Sequence, residues 1–312
     1  MQIYYDIADF EPLQNAIVTS GTFDGVHLGH QKILNRLTET AQIDKGETVV
    51  LTFWPHPRMV VSKDSQNLKL LSTLEEKAEL LRLNGVQHLV VIPFTREFSE
   101  LSSEEFIQQI LVEKIGTKKL IIGYDHHFGR NREGSFEYLQ QNAPRYGFRI
   151  EEIPRQEIEH ITVSSTKIRQ SLLEGKTATA TELLGRNYTF AGIIVKGRQL
   201  GRTIGYPTAN VHVAETFKLI PADGIYAVRV VVRGQTFGGV MSIGFRPTVN
   251  GTHRTQEVYI FDFKDDIYGE KMTVELVEYI RPELKFDGLE ALTKAIDADC
   301  VAALASLEKH PL

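Results

Sequence analysis

The 312-residue sequence is long enough for two domains, and its 42% of hydrophobic residues can fill two apolar cores. A formal net charge of -5, with no run of lysine and arginine, argues against binding along a nucleic-acid backbone. The single cysteine, Cys300, excludes an intrachain disulfide and is typical of a reducing compartment. With no pattern of a secretion signal or a membrane span, we expect a cytoplasmic protein with no membrane partner. The sequence makes no prediction of the oligomeric state.

The first half of the chain alternates predicted strands with predicted helices. Strands are predicted at the apolar runs 16–19, 47–53, 88–94, 119–123 and 149–153. Helices are predicted at residues 29–43, from a capping box at 72–76 to about residue 85, and from a second box at 102–105 to about residue 116. This alternation is typical of a parallel sheet that is covered on both faces by helices.

A glycine-rich turn joins the first of these strands to the first helix. Residues 21–30 read GTFDGVHLGH, and such a turn directs backbone N–H groups and the helix dipole at an anion. His27 and His30 are three positions apart at the helix start, so we expect both rings on one face, within reach of the same bound group. The pattern favours a site for nucleotide phosphates, and the alternative is a turn with no ligand.

Two more polar segments follow predicted strands, and a third begins a later predicted helix; we expect all three at the same edge of the sheet. They are FWPHP at residues 53–57, GYDHHFGR at 123–130 and SSTKIR at 164–169. Ligands of parallel sheets bind beyond the carboxyl ends of the strands. Hydroxyls at a helix start with nearby cations also suit phosphate. Each segment has a simpler alternative, namely a turn at His56, a metal site around Asp125 or a helix cap at Ser164. Their convergence on one edge favours a nucleotide site.

The second half is rich in predicted strands. They lie at residues 188–197, 224–232, 237–243, 256–263 and 272–280. Short connections without helices predict an antiparallel sheet or a small barrel. An amphipathic helix follows, with Leu289, Leu292, Ile296 and Leu304 near one face, and we interpret it as a packing element. The change of pattern places the domain boundary between residues 185 and 186.

Two features of the second half have both a structural and a chemical interpretation. In the segment GRTIGYPTAN at residues 201–210, Thr208 and Asn210 are oxygen ligands of the kind that Mg²⁺ prefers, but the segment also reads as an ordinary surface loop. Glu257 lies within a predicted strand, where a glutamate usually faces solvent. If it faces a pocket instead, it is a candidate general base.

Together these motifs resemble those of a known enzyme family. The turn GTFDGVHLGH has the HxGH signature of the nucleotidyltransferase superfamily, and the PHP, GYDHHFG and SSTKIR segments resemble the adenylyltransferase half of bacterial bifunctional riboflavin kinase/FAD synthetases. His126 stands where that family commonly has an aromatic residue. GRTIGYPTAN resembles the riboflavin kinase motif that contains PTAN, and residues 242–248, Glu257 and residues 267–283 are similar to later kinase segments. The resemblance covers nearly the whole chain.

The resemblance implies a two-domain fold and two activities. Residues 1–185 are expected to form an α/β Rossmann-like nucleotidyltransferase domain that transfers AMP from ATP to FMN, making FAD and releasing pyrophosphate. Residues 186–312 are expected to form an antiparallel β-barrel of the riboflavin kinase type, ending in a helix, which phosphorylates riboflavin to FMN with ATP. ATP, riboflavin, FMN and FAD are then substrates or products, and Mg²⁺ is the expected cofactor.

The resemblance also implies roles for particular residues. His27, His30 and Glu257 are the expected catalytic residues: the histidines donate to the α-phosphate, and Glu257 takes the proton of the riboflavin 5′-hydroxyl. The expected nucleotide- and phosphate-binding residues are Gly21, Thr22, Phe23, Gly29, Ser164, Ser165, Thr166, Arg169, Gly201, Arg202 and Gly205. The expected flavin-binding residues are Asp125, Phe128, Pro55 and His56, and the expected metal ligands are Thr208 and Asn210.

Two rival functions make different predictions. A different adenylyl- or cytidylyltransferase acting on another phosphorylated metabolite would not phosphorylate riboflavin. A flavin-binding regulatory protein would bind flavin without turning over ATP. The histidine pair together with Thr208, Asn210 and Glu257 argues against the second rival, because a regulatory protein has no need of these groups.

Overall fold

The structure is a computed structural model that describes residues 1–62, 67–124, 127–130, 133–153, 163–197, 200–248 and 251–311. Within these ranges the side chains of residues 200, 202, 246–248 and 251–253 are not described. The chain divides into two compact units, Met1–Ser165 and Thr166–Leu312. A division by contacts does not delimit a folding domain, so the boundary between residues 185 and 186 stays a prediction.

In the described part of the first unit, six strands form one sheet. They are β1 Gln2–Tyr4, β2 Ala16–Ser20, β3 Glu47–Trp54, β4 His88–Pro93, β5 Thr117–Gly123 and β6 Arg149–Ile153. Their order is β1-β4-β3-β2-β5-β6, and every neighbouring pair is parallel. The near-continuous apolar sequence of the central strands is what burial on both faces requires.

Helices cover both faces of this sheet. They are α1 Leu28–Asp44, α2 Pro57–Val61, α3 Leu74–Leu83, α4 Arg96–Ser99, α5 Ser103–Glu105 and α6 Phe136–Tyr146, with a 3-10 helix at Ile7–Asp9 and a π-helix at Phe106–Lys114 that continues α5. Successive residues of a strand enter different apolar cores, since Ile17 and Val50 belong to one cluster and Val18 and Leu51 to the other. The predicted parallel sheet with two covered faces is confirmed.

The strand order creates a crevice at one end of β2. From β2 the chain moves through β3 to β4 on one side, and it later returns through β5 to β6 on the other side. Parallel sheets bind ligands at such a reversal, beyond the carboxyl ends of the strands. The GTFDGVHLGH turn follows β2 directly, so the topology brings it to this crevice.

The second unit is a closed barrel with helices before and after it. The helices are α7 Ser165–Leu173, which begins at the division between the units, α8 Thr177–Leu184, α9 Leu200–Thr203 and α10 Leu289–Lys309. The strands are β7 Tyr188–Val195, β8 Thr208–His212, β9 Gly224–Val232, β10 Gln235–Thr248, β11 Gly251–Ile260 and β12 Lys271–Arg281. The barrel order is β10-β11-β8-β7-β12-β9, and all described pairings are antiparallel.

Two strands differ from the sequence-based prediction. β1 was not predicted, because its three residues are too few to show a hydrophobic period. β8 was treated as part of a loop, yet it pairs with both β7 and β11 and thereby closes the barrel. This correction matters for function, because Thr208 and Asn210 lie on a paired strand rather than on a surface loop.

Candidate active sites

The turn after β2 has a backbone conformation that its side chains disfavour. Phe23 and Val26 have φ angles of 46° and 38°, in the left-handed region that residues with a Cβ rarely occupy, and Gly25 between them has a φ of 79°. Both side chains are buried, with Phe23 2% exposed and Val26 fully covered. Their burial in the core holds the turn in a conformation that costs about 1–3 kcal/mol per strained residue.

Asp24 ties this turn to the segment before α3. Its Oδ1 accepts hydrogen bonds from the backbone N–H groups of Leu71 and Ser72, at 2.9 and 3.2 Å. The Ser72 hydroxyl in turn accepts from the N–H of Gly25 at 3.1 Å. The Asp24 carbonyl accepts from the Ser165 hydroxyl at 3.0 Å. Asp24 therefore shapes the turn, a role that the sequence analysis did not assign to it.

The two histidines of the motif are stacked on each other. Their ring centroids lie 3.6 Å apart with an interplanar angle of 12°. His27 caps α1, because its Nδ1 accepts from the backbone N–H of His30 at 3.3 Å. A Cβ on Gly29 would lie 2.9 Å from Val163 Cγ1 and 3.3 Å from the His27 ring, so only glycine leaves this ring in place. The structure thus brings together the two side chains that the sequence paired.

Gly21 and Thr22 lead from β2 into the turn. The Gly21 N–H donates to the Leu51 carbonyl at 3.0 Å, which continues the pairing with β3. The Thr22 carbonyl accepts from the hydroxyl of Thr52 at 3.4 Å. The start of the turn is therefore fixed to β3 at two successive residues.

Two residues predicted to bind flavin are buried. His56 is 7% exposed and caps α2, since its Nδ1 accepts from the Arg58 N–H at 3.1 Å. Phe128 is 9% exposed, and its ring centroid lies 5.4 Å from that of Phe106. Pro55, next to His56, is exposed. His56 and Phe128 therefore have structural roles in this edge of the fold, and their contact with flavin stays a prediction.

For four other predicted site residues, the structure adds at most their position relative to α7. Asp125 lies outside the described residues. Ser164 immediately precedes α7, whereas Thr166 and Arg169 lie within α7 and belong to the second compact unit. Their binding roles stay predictions.

A cluster of aromatic rings near this edge was missed by the sequence analysis. Phe53 near the end of β3, Phe94 directly after β4 and Phe98 in α4 have ring centroids 5.6 to 5.9 Å apart. All three rings are half-buried. The available signal was the position of Phe94 as the last residue of a predicted strand, at the edge where ligands bind.

In the barrel, strand register places Glu257, the predicted general base, and Asn210, a predicted metal ligand, on one face. Glu257 on β11 is directly opposite Asn210 on β8 and Ser242 on β10. Directly opposite side chains in an antiparallel pair lie on the same face. The Glu257 carboxylate accepts from the Thr208 hydroxyl at 3.2 Å and from the Thr255 hydroxyl at 3.3 Å. Both of its oxygens are therefore held by neighbours.

This face lines a cavity of about 880 Å³. Thr208, Asn210 and Glu257 all contribute to its wall. Apolar residues of α10 form another part of the wall, and these include Leu289, Leu292 and Ile296. Glu257 thus faces a cavity, which excludes the solvent-facing alternative. The terminal helix, which we interpreted as a packing element, also encloses the site.

A tight turn before β8 connects the motif to the terminal helix. The Tyr206 N–H donates to the Gly201 carbonyl at 2.8 Å, and a Cβ on Gly201 would overlap the Tyr206 carbonyl oxygen. Gly205 adopts a φ of 89°. The Tyr206 hydroxyl donates to the Asp297 carboxylate on α10, and this bond raises the pKa of Tyr206 to about 12. The side chain of Arg202 lies outside the described set.

Family models match both halves of the chain. Residues 9–167 match the FAD synthetase model, and residues 184–307 match the riboflavin kinase model. A bifunctional riboflavin kinase/FMN adenylyltransferase from Listeria monocytogenes is 39% identical, over 91% of this chain and 90% of that protein. The chain belongs to this family. A member from Pseudomonas fluorescens is 37% identical, over 98% of this chain and 97% of its own length.

A solved structure resembles the chain over almost its full length. It is described as a macrolide-efflux protein from Streptococcus pneumoniae, and it matches with a TM-score of 0.87 and 32% identity, over 97% of this chain and 98% of its own. No helix in the described part of the present chain is both long and apolar enough to cross a membrane. The family membership and the fold class expected from the motifs are confirmed, and both enzymatic domains of the family are present.

The bonds of Asp24 predict a large effect on stability. Asp24→Ala should lower the free energy of unfolding of the first unit by about 2–5 kcal/mol, because two buried backbone donors lose their acceptor. Urea denaturation followed by the fluorescence of Trp54, the single tryptophan, reports on this unit. The control Glu79→Ala breaks an exposed ion pair and should cost less than about 1 kcal/mol. Equal losses in the two variants would contradict the role of Asp24.

Proposed function

We propose that the chain converts riboflavin to FMN in its barrel and FMN to FAD in its parallel-sheet unit, with ATP as donor in both steps. The observation that supports this most directly is that each family match contains its own polar site. The first has the stacked histidines at the crevice of the sheet, and the second has Glu257 facing a cavity. Two separate sites suit two different phosphoryl-type reactions.

In adenylyl transfer, a phosphate oxygen of FMN attacks the α-phosphorus of ATP. The bond from that phosphorus to the bridging oxygen breaks, and pyrophosphate leaves. The enzyme's task is to position the reactants and to stabilise the charge that develops. The N-terminus of α1 supplies a positive dipole at the turn.

The two histidines have different proposed roles in this step. His27 Nδ1 accepts a backbone hydrogen bond, so the proton of its neutral ring is on Nε2, the nitrogen that we propose donates to the α-phosphate. His30 is the more exposed of the two rings, and we assign it the principal donation to the α-phosphate. Ser165 keeps its proposed role with the leaving phosphates. Asp125 keeps its proposed role with the flavin, for which the aromatic cluster offers a stacking surface.

His30→Ala should lower FAD formation from added FMN by about 10²–10³-fold, the scale for one transition-state donor. Riboflavin phosphorylation by the same protein should be unchanged, because that reaction occurs in the other unit. Both activities are measured by chromatographic separation of riboflavin, FMN and FAD. Asn35→Ala, on the exposed side of the same helix, is the matched control and should keep both activities. Normal FAD formation by His30→Ala would remove His30 from this role.

In riboflavin phosphorylation, Glu257 takes the proton from the ribityl 5′-hydroxyl. The hydroxyl oxygen then attacks the γ-phosphorus of ATP, and ADP leaves. The hydrogen bonds from Thr208 and Thr255 fix the carboxylate before substrate arrives. The apolar wall contributed by α10 suits a flat aromatic ring system. Ligand cavities are usually lined mainly by such apolar side chains.

Thr208 and Asn210 are proposed to hold Mg²⁺ together with the phosphates of ATP. Their hydroxyl and amide oxygens are the hard ligands that Mg²⁺ accepts, and both line the cavity beside Glu257. Gly197 leaves room for the side-chain amide of Asn210, since a Cβ at position 197 would lie only 2.7 Å from Asn210 Cγ. The residues present therefore fit the ion, which would neutralise phosphate charge when bound.

Glu257→Gln should lower riboflavin phosphorylation by about 10²–10⁴-fold, the range for a general base, because the amide cannot accept the proton. FAD formation from added FMN should persist. Glu278→Gln exchanges an exposed glutamate of β12 for the same amide and is the matched control. Loss of both activities in a folded Glu257→Gln protein would contradict the assignment of two separate sites.

The remaining parts of the proposal rest on composition and on the family matches. A cytoplasmic location is supported by the single cysteine, and a small-molecule rather than a nucleic-acid partner is supported by the net charge of -5. A nucleotidyltransferase acting on an unrelated metabolite is less well supported, because residues 184–307 match the riboflavin kinase model.

A further inference from the structure

A buried lysine lies next to the phosphate turn. Lys77 on α3 is 3% exposed, and its Nζ donates to the hydroxyl of Thr52 at 3.3 Å. The same hydroxyl donates to the carbonyl of Thr22 at 3.4 Å. Thr52 is itself fully buried. One hydroxyl group therefore connects a buried ammonium group to the backbone at which the turn begins.

The burial of this charge is unfavourable for folding. Removal from water lowers the pKa of Lys77 to about 8, although the nearby carboxylate of Asp24 acts in the opposite direction. The side chain is still mainly protonated at neutral pH. Burying a charged group costs free energy that burying an apolar side chain of similar size does not. Stability alone is therefore a weak reason for a lysine at this position.

The turn itself needs support from its surroundings. Strained residues such as Phe23 and Val26 persist only where neighbouring groups over-determine the backbone. Lys77 acts on the turn at two points, through Thr52 at its start and through the charge of Asp24 at its centre. These are the points from which the chain proceeds to the histidine stack.

We propose that Lys77 is a positioning residue for adenylyl transfer, which together with Thr52 and Asp24 keeps the turn in its strained conformation and so keeps the histidine pair directed at the nucleotide phosphates. The inference rests on the adenylyl transfer proposed for the first unit. Lys77 touches neither substrate in this account. It acts through the backbone of the turn.

The direct test is Lys77→Met in the full chain, since methionine has a similar length and no charge. The kcat of FAD formation should fall by about 10–10²-fold, the scale on which misplacement by about 1 Å acts. The KM for FMN should be nearly unchanged, and riboflavin phosphorylation should be unaffected. A kcat within twofold of the parent value would overturn the proposal.

Variants of Thr52 separate positioning from simple stabilisation. Thr52→Val removes the connecting hydroxyl but keeps the shape and the lysine, whereas Thr52→Ser keeps the hydroxyl. The kcat of FAD formation should fall in Thr52→Val and be retained in Thr52→Ser. Trp54 fluorescence shows whether the first unit of each variant is folded. If Thr52→Val and Thr52→Ser are both folded and have equal kcat values, the hydroxyl serves packing alone.

A third measurement does not depend on FAD formation. Hydrogen–deuterium exchange of the peptide at residues 21–30 should be faster in Lys77→Met than in the parent, while exchange of α6 should be the same in both. Unchanged exchange in the turn would overturn the inference even if the parent makes FAD. Faster exchange in a chain whose parent forms no FAD would support the positioning of the turn and refute the proposed function instead.

Discussion

The first site depends on a turn whose backbone conformation is locally unfavourable. Phe23 and Val26 are held at positive φ angles because their side chains are buried in the core. Asp24, between them in sequence, is bonded through its carboxylate and its carbonyl. The stack of His27 on His30 and the direction of the α1 dipole both follow from this turn. The adenylyl transfer proposed for this unit therefore depends on these few residues holding the turn in place.

The barrel positions the groups that we propose as catalytic by regular strand pairing instead. The register of β8, β10 and β11 sets Glu257 opposite Asn210 and Ser242, at the short separation of directly opposite side chains. Hydroxyls from Thr208 and Thr255 then hold the carboxylate. The two units thus reach precise positioning through different physical means. The proposed product of the second unit is the substrate of the first.

Much of the fold was readable from the sequence because apolar runs and capping boxes mark buried strands and helix starts directly. β8 was not readable, because its strand character comes from pairing with β11 rather than from its own residues. That Glu257 faces a cavity was not readable either, because part of the cavity wall comes from α10, a later segment of the chain. The role of Asp24 was hidden as well, since its partner Leu71 lies 47 positions further along the chain. Local patterns do not contain such contacts.

The most direct test of this account is a time course of the purified full chain with riboflavin, ATP and Mg²⁺. Samples are separated chromatographically into riboflavin, FMN and FAD, and pyrophosphate is measured in parallel. The account predicts that FMN appears first and is then converted to FAD, with one pyrophosphate released for each FAD formed. FMN that is never converted, or the absence of any flavin product, would contradict it.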